Sequence, residues 1–185
     1  MSHIFDIPAL RTSIRCMSAI YELGQALRSR RTEMGLTQER LAALSGLSRQ
    51  TISQLETGSV SDLGFMKVEK VASLLGLALR VDSGATKLKR PGKHLMTPLE
   101  RASVSASVSY KTSISAAELK KILVTGGVPK HHWSHVGAFL DEAPVSLLAA
   151  VAEQLHDESG IGRDEVWANY RSLAATVKSY RDIWQ

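Results

Sequence analysis

The chain has 185 residues, of which 44% are hydrophobic and 22% are charged. This composition excludes a wholly disordered protein, and the length suggests one or two domains. The longest charge-free apolar run, residues 143–152, is about half of the roughly 18 residues that a membrane-spanning helix needs. Because the N-terminus also lacks a signal-peptide pattern, we expect a cytoplasmic protein without a membrane segment.

Positive charge is concentrated in the first half of the chain. The net charge is +5 at pH 7, and residues 1–94 contain 14 basic and 8 acidic residues. Residues 95–185 contain 9 basic and 10 acidic residues and are nearly neutral. A basic unit needs an acidic partner, and nucleic acid is the usual one. The two halves are therefore expected to have different roles.

Glycines divide residues 21–76 into four short predicted helices. The run 77–81 (LALRV) follows, and its apolar and β-branched residues predict a short strand. Residues 82–94 are rich in Gly, Lys and Arg and predict a linker, either a solvated tether or an added contact to phosphate or a minor groove. We therefore place one domain at 21–81, behind an N-terminal extension at 1–20.

Residues 95–185 predict a second, mostly helical domain. Two capping boxes in it, which mark helix starts, are formed by Thr97 with Glu100 and by Ser115 with Glu118. The alternating run 103–110 (SVSASVSY) fits a strand, but a helix with a small-residue face fits nearly as well.

The last predicted helix runs from about Asp164 to the end of the chain. Its apolar stripe is rich in aromatic residues, and Trp and Tyr are enriched in the hot spots of protein interfaces. The candidate partner-binding residues on this helix are Trp167, Tyr170, Val177, Tyr180 and Trp184. The alternative is that the helix closes the core of the C-terminal domain.

The most informative stretch is 37–58 (TQERLAALSGLSRQTISQLETG). Thr37 is suited to cap one helix, and Ser48 is suited to cap the next. Gly46 lies between them, where a tight turn needs a positive φ, and Ile52 is placed to fill the angle between the helices. Two helices joined by a short turn with glycine, the second of them polar, predict a helix-turn-helix.

The exposed face of the second helix carries polar, mostly uncharged side chains at staggered heights. They are Arg49, Gln50, Thr51, Ser53 and Gln54. Arginine pairs bidentately with guanine, and glutamine pairs with adenine. This face is therefore suited to reading base edges.

Residues 22–79 resemble the phage-repressor/Cro type of helix-turn-helix regulators, also called the xenobiotic-response-element family. LRSRRTEMGLTQ matches the first helix and the start of the second, TIS-x-L-E-x-G the recognition helix and its exit, and GFMKVEKVASLLGL the fourth helix. The resemblance implies a mainly α, five-element domain, in which four helices are followed by the short strand. It also implies DNA binding.

The resemblance assigns roles to individual positions. Gln38 would bind a phosphate and brace the recognition helix, and Phe65 would occupy a core position. Arg31 and Glu56 would form a partly buried salt bridge across the fold. The residues implied at the DNA surface are Thr37, Gln38, Ser48, Arg49, Gln50, Thr51, Ser53 and Gln54. Among these, bases would be read by Arg49, Gln50 and Gln54.

One helix-turn-helix covers about four or five base pairs, so we expect a homodimer on an inverted repeat, with recognition helices about 34 Å apart. The predicted strand 77–81 is an unpaired edge that could pair with its own copy through Leu77, Leu79 and Val81. This arrangement is similar to the HipB-like branch of the family, whose members are antitoxin repressors. The alternative is that the run only finishes the fourth helix.

Nothing in the sequence predicts a metal, a cofactor or catalysis. The single cysteine, Cys16, excludes an internal disulfide and a cysteine-rich zinc site and is interpreted as a small buried hydrophobic residue. His131, His132 and His135 lie close together, but no acidic or cysteine ligand is beside them. No nucleophile elbow or phosphate-binding loop occurs, so we do not expect an enzyme.

These features predict a sequence-specific transcriptional repressor that binds double-stranded operator DNA as a homodimer. Two roles are open for residues 95–185. In the first, they bind a cognate toxin, and the protein is an autoregulating antitoxin. In the second, the protein is a free-standing or prophage regulator whose second domain senses a ligand or mediates oligomerisation. We favour the first.

Overall fold

Helices account for the regular structure of the described residues. The computed structural model describes residues 8–79, 96–108, 110 and 112–185. The N-terminal unit consists of α1 (Pro8–Glu33), α2 (Gln38–Ser45), α3 (Arg49–Thr57) and α4 (Phe65–Leu74). The C-terminal unit consists of α5 (Pro98–Ser107), α6 (Ala116–Thr125), α7 (Trp133–Glu142), α8 (Val145–Ser159) and α9 (Arg163–Val177), with short 3-10 turns at Lys130–His132 and Asp182–Trp184. The predicted mainly helical fold class is confirmed.

The predicted strand at 77–81 is not present in the described part of this run, which ends at Leu79. Gly76 has a φ of +69°, and the Leu77 amide donates to the Ala72 carbonyl at 2.8 Å, which closes the end of α4. A strand exists only through hydrogen bonds to a neighbouring strand, and the described residues of one chain supply none here. Val81 and the predicted linker lie outside the described residues.

Local signals placed the first two C-terminal helices correctly. Thr97 and Glu100 form a capping box at the start of α5, and Ser115 and Glu118 form another at the start of α6. The alternating run at 103–110 is helical as far as Ser107, so its interpretation as a strand is wrong. The run is helical because its small buried side chains allow α5 to pack closely on α7 and α8. These residues are Ala102, Ser103 and Ala106.

The last helix is shorter than predicted and faces inward. It ends at Val177, and Lys178 follows with a left-handed φ of 58°. Trp167 and Tyr170 are completely buried, so they are core residues and the prediction that they bind a partner is wrong. The aromatic stripe is the side of α9 that packs on α7 and α8, and the Tyr170 hydroxyl donates to the Leu148 carbonyl at 3.2 Å.

The chain after α9 folds back over the same core. The Trp184 ring lies 6.2 Å from that of Trp167 and 6.3 Å from that of Tyr170, and its indole N–H donates to the Leu140 carbonyl at 3.2 Å. Trp184 therefore lies in a 3-10 turn instead of the predicted long helix. Of the five candidate partner residues, Tyr180 alone is largely exposed, at 82%.

The N-terminal and C-terminal units pack against each other. The Arg171 guanidinium on α9 donates to the Met34 carbonyl at 2.5 Å, at the turn between α1 and α2. Arg40 on α2 donates to the Asp182 carbonyl. On another side, α4 contacts α8, and the Gly76 backbone approaches Val145 so closely that a Cβ there would lie 2.9 Å from its carbonyl oxygen.

Among the described helices, none is by itself long and apolar enough to cross a membrane. Only the segment pair 130–142 and 145–159, bent by 117° at its break, has that length and apolarity when joined.

Candidate nucleic-acid interface

The turn between α2 and α3 is built by the residues that the sequence indicated. The Thr37 hydroxyl accepts from the Arg40 amide at 3.0 Å and starts α2. Gly46 ends α2 with a φ of +72°, a conformation that costs glycine little. The Ser48 hydroxyl accepts from the Thr51 amide at 3.0 Å and starts α3. These caps fix the direction in which α3 leaves the turn.

Apolar packing fixes α3 against the rest of the unit. Leu41 and Ala42 on α2 meet Ile52 and Leu55 on α3, and all four side chains are buried. Because these side chains cover one face of α3, the opposite face is left for solvent. The recognition helix is therefore held rigidly and displays a single surface.

The outer face of α3 is polar and free of exposed carboxylates. Arg49, Gln50 and Gln54 are exposed, as the sequence predicted, and Thr51 and Ser53 are half-buried beside them. The only acidic residue in this helix is Glu56, which is buried. A face with a cation, two amides and no exposed anion fits the major groove, whose base edges offer donors and acceptors between rows of phosphates.

Two of these side chains also have partners within the chain. The Thr51 hydroxyl lies 2.8 Å from that of Ser48 and belongs to the helix cap. The Arg49 guanidinium lies 3.8 Å from the Glu39 carboxylate, and both side chains are mostly exposed. Since exposed pairs of this kind contribute little, Arg49 remains available to a base or a phosphate.

Glu56 is the centre of a polar network beneath the recognition helix. Arg31 on α1 donates to both of its carboxylate oxygens, at 2.5 and 3.0 Å, and Gln38 on α2 donates at 2.9 Å. Burial raises the pKa of Glu56, but the hydrogen bonds from Arg31 and Gln38 outweigh it and hold that pKa below the ordinary carboxyl value. Gln38 thus braces α3 through Glu56.

Two contacts close to the Glu56 network were not predicted from the sequence. Gly24 lies where α1 crosses α3, and a Cβ there would be only 2.4 Å from the Leu55 carbonyl oxygen. The Gln25 side-chain amide donates to the Glu56 carbonyl at 3.3 Å. A glycine inside a predicted helix was the available signal, because it usually marks a close approach or a kink.

The start of α4 differs from the prediction. Phe65 is 65% exposed and Met66 is 74% exposed, so the prediction that Phe65 occupies a core position is wrong. Phe65 is the first residue of α4, and the buried residues of this helix, Val71 and Ala72, lie nearly two turns later. Phe65 instead lines a groove together with Leu79, which is also exposed.

The fold and the α3 face agree with the comparison to known protein families. Residues 27–81 match a family model described as helix-turn-helix. They form a Cro/C1-type helix-turn-helix domain. Residues 27–81 are therefore a DNA-binding domain of the phage-repressor/Cro type, which supports a role in transcription regulation. No curated protein and no solved structure gives a significant match, and the C-terminal unit lies outside the matched segment.

Proposed function

We propose that this regulator is a sequence-specific repressor that binds an inverted-repeat operator as a homodimer. The observation that carries the proposal is the outer face of α3, which presents Arg49, Gln50 and Gln54 on a rigidly held helix with no exposed carboxylate. Arg49 is assigned to guanine, and the two glutamines are assigned to adenine. A protein bound in this way over a promoter excludes polymerase.

Phosphate contacts fix the position of the domain on DNA. Thr37 and Ser48 lie at the N-termini of α2 and α3, where backbone N–H groups attract anions. Gln38 follows Thr37 and keeps one amide proton beyond its bond to Glu56. We assign these residues, with Thr51 and Ser53, to the sugar-phosphate backbone and to base methyl groups.

The dimer follows from the small size of the site. One helix-turn-helix reads about four or five base pairs, so useful specificity needs two copies about 34 Å apart. We assign the dimer contact to the run 77–81, with Leu77, Leu79 and Val81 pairing with their own copies. The exposed apolar side chains of Phe65 and Leu79, which line the same groove, support this assignment, and Met66 beside Phe65 in the chain is exposed as well.

Sedimentation and fluorescence anisotropy test the repressor proposal together. The full chain at micromolar concentration should sediment as a dimer and should bind a selected operator far more tightly than random DNA. The double variant L79S/M66S should shift the chain towards monomer and weaken operator binding while leaving its helix content unchanged. A wild-type chain that sediments as a monomer both free and on DNA contradicts the dimer.

We propose further that the C-terminal unit binds a protein toxin, which makes the regulator an antitoxin that controls its own operator. Aromatic side chains exposed on this unit support the proposal, because such residues dominate protein-binding hot spots: Tyr110, Trp133 and Tyr180. The competing role for the unit is that of a ligand sensor or oligomerisation domain. In that case no protein partner would be found.

A pull-down from the native host separates these roles. The bait is the full chain carrying R49A/Q54A in a nuclease-treated lysate, so that partners held through operator or random DNA are removed. The antitoxin role predicts one stoichiometric protein that stops growth when expressed alone, and growth returns when the two are expressed together. If the bait retains no such protein, the C-terminal unit has the competing role.

A further inference from the structure

A groove crosses the C-terminal unit between α7 and the end of α9. It has a volume of about 350 Å³, and the lining residues that matter here are Tyr110, Trp133, Gly137, Asp141, Glu142 and Val177. We propose that this α7–α9 groove binds a lysine- or arginine-bearing segment of a partner protein. The inference rests on the proposed partner-binding role of the C-terminal unit and gives that role a place and a chemistry.

The aromatic walls of the groove are exposed and held in position. Tyr110 is 41% exposed and Trp133 is 40% exposed. The Trp133 indole N–H donates to the Val128 carbonyl at 3.3 Å, and the Tyr110 ring lies 5.0 Å from the ring of His135. Because the hydrogen bond already orients the Trp133 ring, this side chain loses little conformational entropy on binding. A cationic side chain placed over either ring gains a cation–π interaction.

The charge of the groove selects a cation. Among the described residues that line it, Asp141 and Glu142 are the ones that carry charge at neutral pH, and both are exposed. The Ser179 hydroxyl donates to the Asp141 carboxylate and fixes it at the rim. Arg181 donates to the carbonyl of Ala143 at 2.6 Å and also interacts electrostatically with Asp141, which offsets part of the charge of that carboxylate. Two carboxylates beside two aromatic rings repel DNA phosphates and attract lysine or arginine.

One residue that lines the groove is a glycine at a position where the packing leaves room for a larger side chain. Gly137 lies inside α7, where glycine is less favourable than alanine. A Cβ added at Gly137 would meet its nearest atom, on Val177, at an ordinary contact distance of 3.9 Å. At Gly24, by contrast, a Cβ would lie 2.4 Å from a backbone oxygen. The glycine at 137 therefore keeps the groove open, a role independent of the aromatic and acidic residues.

The experiment uses short random peptides displayed on phage, with the immobilised full chain as target. We expect the enriched peptides to combine Lys or Arg with apolar residues. Their affinity should fall by about tenfold or more in G137L, which fills the groove, and in E142Q, which removes one charge. V104S is the matched control, because it alters an exposed apolar residue on α5, and it should leave peptide affinity unchanged.

The remaining outcomes overturn the proposal. The first is enrichment of acidic peptides. The second is that the enriched peptides bind G137L as tightly as they bind the wild type. The third is that the wild-type target enriches no peptide relative to the G137L target. Operator affinity is measured on the same variants and should stay at the wild-type value. A groove variant that no longer binds peptide but still binds the operator shows that the groove acts separately from the DNA-binding domain. If the wild type binds peptide but no operator, the repressor function fails and the groove proposal stands. If G137L does not fold, G137A is measured in its place. It narrows the groove, and alanine favours the helix more than glycine does.

Discussion

Arg31 holds Glu56 through two parallel hydrogen bonds, from Nε to Oε1 at 2.5 Å and from Nη2 to Oε2 at 3.0 Å. The two residues are 25 positions apart and join α1 to the recognition helix. The remaining Arg31 nitrogen donates to the Leu36 carbonyl at 2.7 Å, so the same side chain also fixes the approach to α2. Glu56 is only 2% exposed, and its charge is therefore compensated almost entirely by protein groups.

Removing the arginine should destabilise the protein strongly. In R31A the Glu56 carboxylate stays buried without its main partner, which typically costs about 3–5 kcal/mol. We expect the free energy of unfolding in urea to fall by that amount. R49A is the control, because the exposed Arg49–Glu39 pair at 3.8 Å should contribute less than about 1 kcal/mol. Equal losses in the two variants would contradict the role assigned to Glu56.

The same network predicts how stability changes in acid. The hydrogen bonds from Arg31 and Gln38 hold the folded-state pKa of Glu56 below its ordinary value of 4.5. A lowered folded-state pKa stabilises the native state fully above 4.5, and this contribution is lost as the pH falls from there through the folded-state value. Urea midpoints measured across this range should fall more steeply with acid in the wild type than in E56Q. Parallel curves for the two proteins would show that Glu56 does not titrate as described.

Truncations on α3 should reduce specificity rather than stability. R49A and Q54A are each expected to cost about 1–3 kcal/mol on the matched operator and little on random DNA, since base contacts carry the sequence information. Fluorescence anisotropy at constant salt measures both affinities. A loss of equal size on both DNAs would mean that these side chains contact phosphate instead.

The contact between the two units makes Arg171 a residue that stabilises the α1–α2 turn. R171A removes the hydrogen bond from the guanidinium to the Met34 carbonyl, a charge-assisted bond typically contributing about 1.5–3 kcal/mol. We expect faster amide hydrogen exchange around Gly35 and Leu36 in this variant. R101A changes an exposed arginine on α5 and should leave exchange at the turn unaltered. Unchanged hydrogen exchange at Gly35 and Leu36 in R171A would mean that Arg171 does not stabilise the α1–α2 turn.

Burial of the α9 aromatic stripe can be tested by comparing two residues of that region. Trp167 is completely buried, so W167A should lower the free energy of unfolding by about 3–5 kcal/mol. Tyr180 is 82% exposed, so Y180A should change it by less than about 0.5 kcal/mol. Thermal and urea unfolding of both variants provide the measurement. A small change in the free energy of unfolding of W167A would contradict the burial of Trp167 and make it a candidate for partner binding again.

The sequence predicted the parts of the interface that depend on local interactions. The caps at Thr37 and Ser48 and the turn at Gly46 involve residues within a few positions of each other, and their chemistry is specific. The exposed face of α3 followed from helical periodicity once its buried residues were identified.

Features that depend on distant parts of the chain were beyond the sequence. Periodicity places Trp167 and Tyr170 on one side of a helix but does not say whether another helix covers that side. The close crossing at Gly24 involves a backbone oxygen of Leu55, far away in the chain. A strand at 77–81 depends on a pairing partner that the described residues of one chain do not supply.

The most direct test of the central claim is selection of DNA sites from a random library by the full chain, read by sequencing. The account predicts enrichment of an inverted repeat whose half-sites are centred about one helical turn apart. It also predicts that R49A and Q54A change or erase preference at particular positions of each half-site. Enrichment of no sequence at all, or of a motif identical in the wild type and both variants, would contradict the assignment of α3 as the element that reads the bases.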